Sequence, residues 1–149
     1  MARVPDNGIA ENFFRRDGRL NRWRFFKRGV LIGLIESVLI SVILIISTDL
    51  SGQVSTMGNI LFKVICFAGL VPYFCLVTRR LHDLNKNETL AYVYVFLSAL
   101  TTLTMDLSYL SEPSALQNII SVLSAIIGIY LLFFPGTKGD NQYGSDPLE

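Results

Sequence analysis

At 149 residues the chain suits one compact unit, but 51% hydrophobic and only 17% charged residues, with a mean hydropathy of +0.46, exclude an ordinary soluble domain of that size. The formal net charge of +1 conceals a strong segregation, because Lys and Arg crowd into a few polar segments and leave long windows almost uncharged. Lipid is therefore the expected solvent. Cys66 and Cys75 fall nine positions apart in one apolar run, on opposite sides of a helix, which argues against a mutual disulfide. Neither a CxxC pair nor metal-ligand spacing is present.

Residues 1–28 form a basic and aromatic arm. Within it Leu20, Trp23 and Phe26 or Lys27 fall on one side of a helical turn, which predicts a short interfacial amphipathic helix with rings at headgroup depth. Arg19, Arg22, Trp23, Arg24, Lys27 and Arg28 are the candidate lipid-interface residues. Nucleic acid is not an expected partner, since the basic segment runs straight into an apolar span with no accompanying motif. The first span is Gly29 to Thr48, some 20 residues, enough for ~30 Å of helix. A long charged preamble and a run of that length argue for a retained helix over a cleaved signal. Gly29, Gly33, Ser37 and Ser41 recur every four residues as a small-residue ridge, and the lone charge in the span, Glu36, sits on or beside it.

A link without Lys or Arg, Leu50 to Met57, leads to the second span, Gly58 to Thr78, which carries Lys63, Gly69 and Pro72. Pro72 removes a backbone donor and predicts a kink. The charged knot Arg79-Arg80-Leu81-His82-Asp83-Leu84 follows, then a tight loop at Asn85-Lys86-Asn87-Glu88. The third span, Thr89 to Met105, is near the lower length limit for crossing. Beyond the link Asp106 to Ser114, again free of Lys and Arg, the fourth span covers Ala115 to Phe134, with Ser121 and Ala125, and Ser124 and Gly128, at small-xxx-small spacing. The tail, 135–149, is dense in Gly, Pro, Asn and Asp and reads as turns.

Of the 13 Lys and Arg, eight lie in the arm, three in the central loop, one in the tail, one in a span and none in the other two links. The positive-inside rule then predicts an all-α membrane protein, a four-helix antiparallel transmembrane bundle over residues 29–134 with both termini and the central loop cytoplasmic.

Gly18-Arg19-Leu20-Asn21-Arg22, Arg79-Arg80-Leu81-His82-Asp83 and Pro135-Gly136-Thr137-Lys138-Gly139-Asp140-Asn141-Gln142-Tyr143-Gly144-Ser145-Asp146-Pro147 resemble, in order, the three motifs of the domain-of-unknown-function 805 family. The likeness spans essentially the whole chain. It departs at Asn85 to Leu90, where members carry a Gly/Ser-rich turn and tryptophans, and at Ser145, where proline is usual. The resemblance implies an integral protein of the bacterial inner membrane and supplies no activity.

The residues themselves nominate Glu36, Arg79, Arg80, His82 and Asp83 as a structural or ligand hub. An ionised carboxylate inside a span is costly, so Glu36 is expected to be protonated, hydrated or paired, with Arg79 or His82 as the partner. Lys63 is expected to snorkel the other way. Asp83 is expected to hold Arg80 or cap the loop; guanidinium forks at Arg79 and Arg80 suit lipid phosphates or a small anion. No nucleophile–base pair, metal spacing or phosphate loop is visible, so no enzyme, cofactor or metal is expected. The expected function is a non-enzymatic membrane module, with the bilayer, anionic headgroups and a second copy or another membrane protein as partners. The alternative is a small transporter or channel subunit with a proton or ion path through Glu36 and His82.

Overall fold

The computed structural model describes residues 8–107 and 113–148; arm residues 1–7, the middle of the Asp106 to Ser114 link and the last residue of the tail lie outside them. A short π-helical turn, Ala10–Phe14, precedes four helices: α1 (Arg22–Ser47), α2 (Thr56–Asp83), α3 (Thr89–Thr104) and α4 (Ala115–Phe133). Three of them, α1, α2 and α4, are long and apolar enough to cross a membrane, and α3 is a shorter apolar helix of 16 residues.

The helix ends follow from local chemistry. Asn21 caps α1, its side chain accepting the Arg24 N–H at 2.8 Å. The interfacial segment expected in the arm is therefore no separate helix: from Arg22 onward it is the first two turns of α1, while Leu20 is buried ahead of the cap. Between α1 and α2, the Asp49 carboxylate accepts the N–H groups of Ser51 and Gln53, and Gly52 takes a left-handed φ of 81°, so the link closes as a tight turn. Ser55 caps α2, which runs unbroken through Pro72. Its C-terminus is a Schellman closure. Asn85 adopts φ 55°, the Lys86 N–H reaches the Leu81 carbonyl at 2.9 Å, and the Asn85 N–H reaches His82 at 3.0 Å. A reciprocal Ser114–Gln117 capping box starts α4, and Pro135 follows its end.

Helix α2 is the central element. Along α1 it finds small residues: its Tyr73 ring lies over Gly29 and Gly33, donating from Oη to the Gly29 carbonyl at 3.0 Å, and Gly58 lies against Ser47. The Gly29–Gly33 ridge is thus an intramolecular seam. On α4, by contrast, Gly128 has nothing packed over it. Phe74 of α2 meets Tyr92 of α3 at 5.0 Å between ring centroids. Two hydrophobic clusters, one of Val77, Leu81, Leu84, Ala91 and Leu131 and the other of Leu20, Ile32 and Leu76, gather around the last turns of α2. The flanks of α1 and α4 instead expose Leu34, Val38, Ile45, Ile119, Val122 and Ile126, an apolar belt suited to hydrocarbon.

Candidate functional site

At 28 residues α2 is ~42 Å long, more than a ~30 Å hydrocarbon layer requires, so its charged end projects beyond the apolar belt. That end is buried all the same. Arg80 is 0% exposed and Arg79 2%, because the arm and the tail fold over them. Arg80 and Asp83, three residues apart on one helix face, form an ion pair through Nη1 and Oδ2; Arg80 Nε donates to the Leu131 carbonyl at 2.7 Å and Nη2 to that of Phe134. Those two carbonyls belong to the last turn and C-cap of α4, where no helical N–H follows to satisfy them. Arg80 thus serves as the C-terminal cap of α4 from a neighbouring helix.

The other Asp83 oxygen, Oδ1, receives Arg19 Nε at 3.1 Å. Arg19 also donates to the carbonyls of Thr137 and Gly139, and more weakly to Gly144 at 3.5 Å. One carboxylate therefore lies between two guanidinium groups whose remaining N–H groups are spent on tail and helix-end carbonyls, an arrangement that meets the strict pairing demand on buried charge. The tail's Pro-Gly-Thr stretch is shaped to this carboxylate. A Cβ on Gly136 would run into the Asp83 carboxylate, and Thr137 donates both its N–H (2.8 Å) and its hydroxyl (3.0 Å) to the Asp83 backbone carbonyl.

His82 holds the outer layer. Its Nδ1–H donates to the Gly18 carbonyl at 3.2 Å, and its ring stacks on Tyr143 at 3.9 Å with 7° between planes. Asn141 Nδ2 donates to the His82 carbonyl and to Thr137 Oγ1, each at 2.9 Å, and the Leu20 N–H donates to the Arg79 carbonyl at 3.0 Å. Asp146 accepts the N–H groups of Leu148 and Gly139, which hold its carboxyl below the usual carboxylate range. The tail is folded around its own asparagine and aspartate acceptors before it meets the helix.

Four of the five hub residues are brought together: Arg79, Arg80, His82 and Asp83. Glu36 is not among them. Its carboxyl lies against Gly69, ten residues before Arg79 and so ~15 Å away along α2, whereas Arg79 donates to the Glu11 carbonyl at 3.0 Å. The expected Glu36–Arg79 or Glu36–His82 contact is replaced by a contact with Gly69, one of two α2 positions that lack a side chain. Lys63 reaches the Leu103 carbonyl at 3.4 Å, at the far end of α3. Neither Arg79 nor Arg80 is exposed at the surface of the chain.

Among the lipid-interface candidates, Arg19 is buried in the latch, the network in which the arm and the tail close over Asp83 at the end of α2, and Arg28 donates to the Asn12 carbonyl at 3.1 Å and to the Asn12 side chain. Trp23, 60% exposed, stacks on Phe26 at 5.7 Å, with Lys27 Nζ 5.0 Å from its centroid; Arg22 is exposed beside them and Arg24 half-buried. Thr137, Asn141, Tyr143 and Asp146 also belong to the site, and their sequence does not single them out for it. Their Asx-and-Gly spacing announced turns, but nothing local says which helix end those turns enclose. Among the described residues no group of three or more His, Cys, Asp or Glu side chains could hold a metal.

No curated protein and no solved structure matches the chain. The family model described as "protein of unknown function (DUF805)" matches residues 13–145, a stretch holding all three segments of the latch, and the chain belongs to that family.

Proposed function

We propose that this is a non-enzymatic integral membrane module of four spans, α3 being the shortest, with both termini and the α2–α3 turn on the cytoplasmic face of a bacterial inner membrane. The segregation of Lys and Arg supports that orientation. The observation carrying the non-enzymatic reading is the commitment of the charged end of α2. Both Asp83 oxygens, all three Arg80 nitrogens and both faces of the arm–tail contact are engaged in holding the chain to itself. A group so engaged is neither nucleophile nor base toward a substrate. The latch makes the cytoplasmic face rigid, and the start of α1, with Arg22, Trp23, Arg24 and Lys27, meets anionic headgroups.

Lipid retention tests this directly. In nanodiscs of mixed composition, the protein is expected to enrich anionic over zwitterionic lipid at its surface, and the triple change Arg22→Gln, Arg24→Gln, Lys27→Gln to abolish the enrichment without altering thermal stability. Equal retention of both lipids by the wild type would sink the reading. Reporter fusions placing the tail outside would sink the orientation.

A further inference from the structure

Three features of the α1–α2 seam have no role in the latch: Glu36, Gly69 and Pro72. They meet at one place. The Glu36 carboxyl, through Oε1, occupies the space where a Cβ of residue 69 would stand, so only glycine admits it there. Three residues on, Pro72 is inside α2 and brings no N–H, which leaves the carbonyl of Ala68, the neighbour of Gly69, without its helical donor. A carbonyl lacking its donor at membrane depth needs one from elsewhere. Cys66 and Tyr73 of α2 and Tyr94 of α3 stand near enough to feel a charge on Glu36, and no cation pairs with it among the described residues. The one cation in a span, Lys63, is turned to Leu103. A carboxylate so placed would add an uncompensated charge to an acceptor already short of a donor; a carboxylic acid supplies that donor.

We propose that Glu36 is a proton-binding site within the membrane: its neutral carboxyl donates an O–H to the Ala68 carbonyl that Pro72 leaves open, clasping α1 to α2 through the notch at Gly69. The ligand is the proton itself. The site is separate from the latch and independent of the lipid-binding proposal, since neither Arg22 nor Lys27 touches it. With Glu36 far from His82, it is a single site and not one end of a path between those two residues.

Infrared spectroscopy of the full-length protein in lipid tests this. The wild type is expected to show a protonated-carboxyl C=O band at neutral pH that is absent in Glu36→Gln. In Pro72→Ala, where residue 72 regains an N–H for Ala68, the band is expected to move to higher frequency as the carboxyl loses its acceptor. Glu36→Gln, whose amide still donates, is expected to keep the wild-type melting temperature, and Glu36→Leu to lower it. The proposal is overturned if the wild type has no such band at neutral pH, if Pro72→Ala leaves the band unmoved, or if Gln destabilises as much as Leu. Should the variants fail to fold, the band in wild type carrying isotope-labelled glutamate decides the matter alone.

Discussion

Two arginine-rich turns stand side by side at the same end of this molecule and meet opposite fates. At the end of α2, Arg80 is completely buried; at the start of α1, Arg22 and Lys27 are exposed around a Trp23 that is itself 60% exposed. The residue types are alike, so composition does not separate them. What separates them is the supply of acceptors: α2 ends where Asp83, the last carbonyls of α4 and the turns of the tail converge, while α1 begins with a single Asn21 cap and open space. A guanidinium can be buried only where several oxygens are already fixed in place, and a tail rich in turns is an economical way to fix them.

The contrast is broken most severely by removing the shared anion. Asp83→Ala strands Arg19 and Arg80 without their carboxylate, and a loss of about 3–5 kcal/mol is expected, read as a lowered melting temperature in detergent. Gly136→Ala puts a methyl into the space of that carboxylate and should cost about 1–3 kcal/mol, with earlier proteolytic release of the tail. Tyr143→Ala removes the ring from His82, for which about 0.5–1.5 kcal/mol is expected; Tyr143→Phe keeps the stack and should be near wild type in the same assay.

Acidification is a gentler probe. Asp146 is held below the ordinary carboxylate range in the folded tail, so its contribution is present in full above the unfolded value of about 3.9 and is lost as pH falls through the lower folded value. Tail protease protection should therefore be flat around neutrality and fall at strongly acidic pH, and Asp146→Asn should be less acid-sensitive. The smallest effect on stability belongs to the exposed turn. Trp23→Ala is expected to change folding by no more than about 0.5 kcal/mol, with its consequence appearing in anionic-lipid retention. A large loss of stability there would erase the distinction between the two turns.

Hydropathy located the apolar parts of all four helices, yet it stopped short at their charged ends. It set α1 at Gly29 where the helix starts at Arg22, and α2 to end at Thr78 where it runs to Asp83. Hydropathy senses where lipid is favourable, whereas a helix continues as long as its backbone hydrogen bonds do and its end groups find caps. Arg19 and Arg28 read as lipid-facing cations for the same reason. Their charge was legible, but their acceptors, the tail carbonyls and Asn12, lie 118 and 16 residues away in sequence.

The charged knot at the end of α2 was visible from its sequence alone, as was its kinship with the arm and tail motifs. Residue type and spacing determine that much, because Arg80 and Asp83 three apart on a helix must share a face. Only the tertiary structure decided that Glu36 faces Gly69 and not the knot, and that Asp83 carries two arginines. Register between helices is set by which side chains leave room for others, and the room at Gly69 and Gly136 belongs to residues that announce nothing about what will fill it.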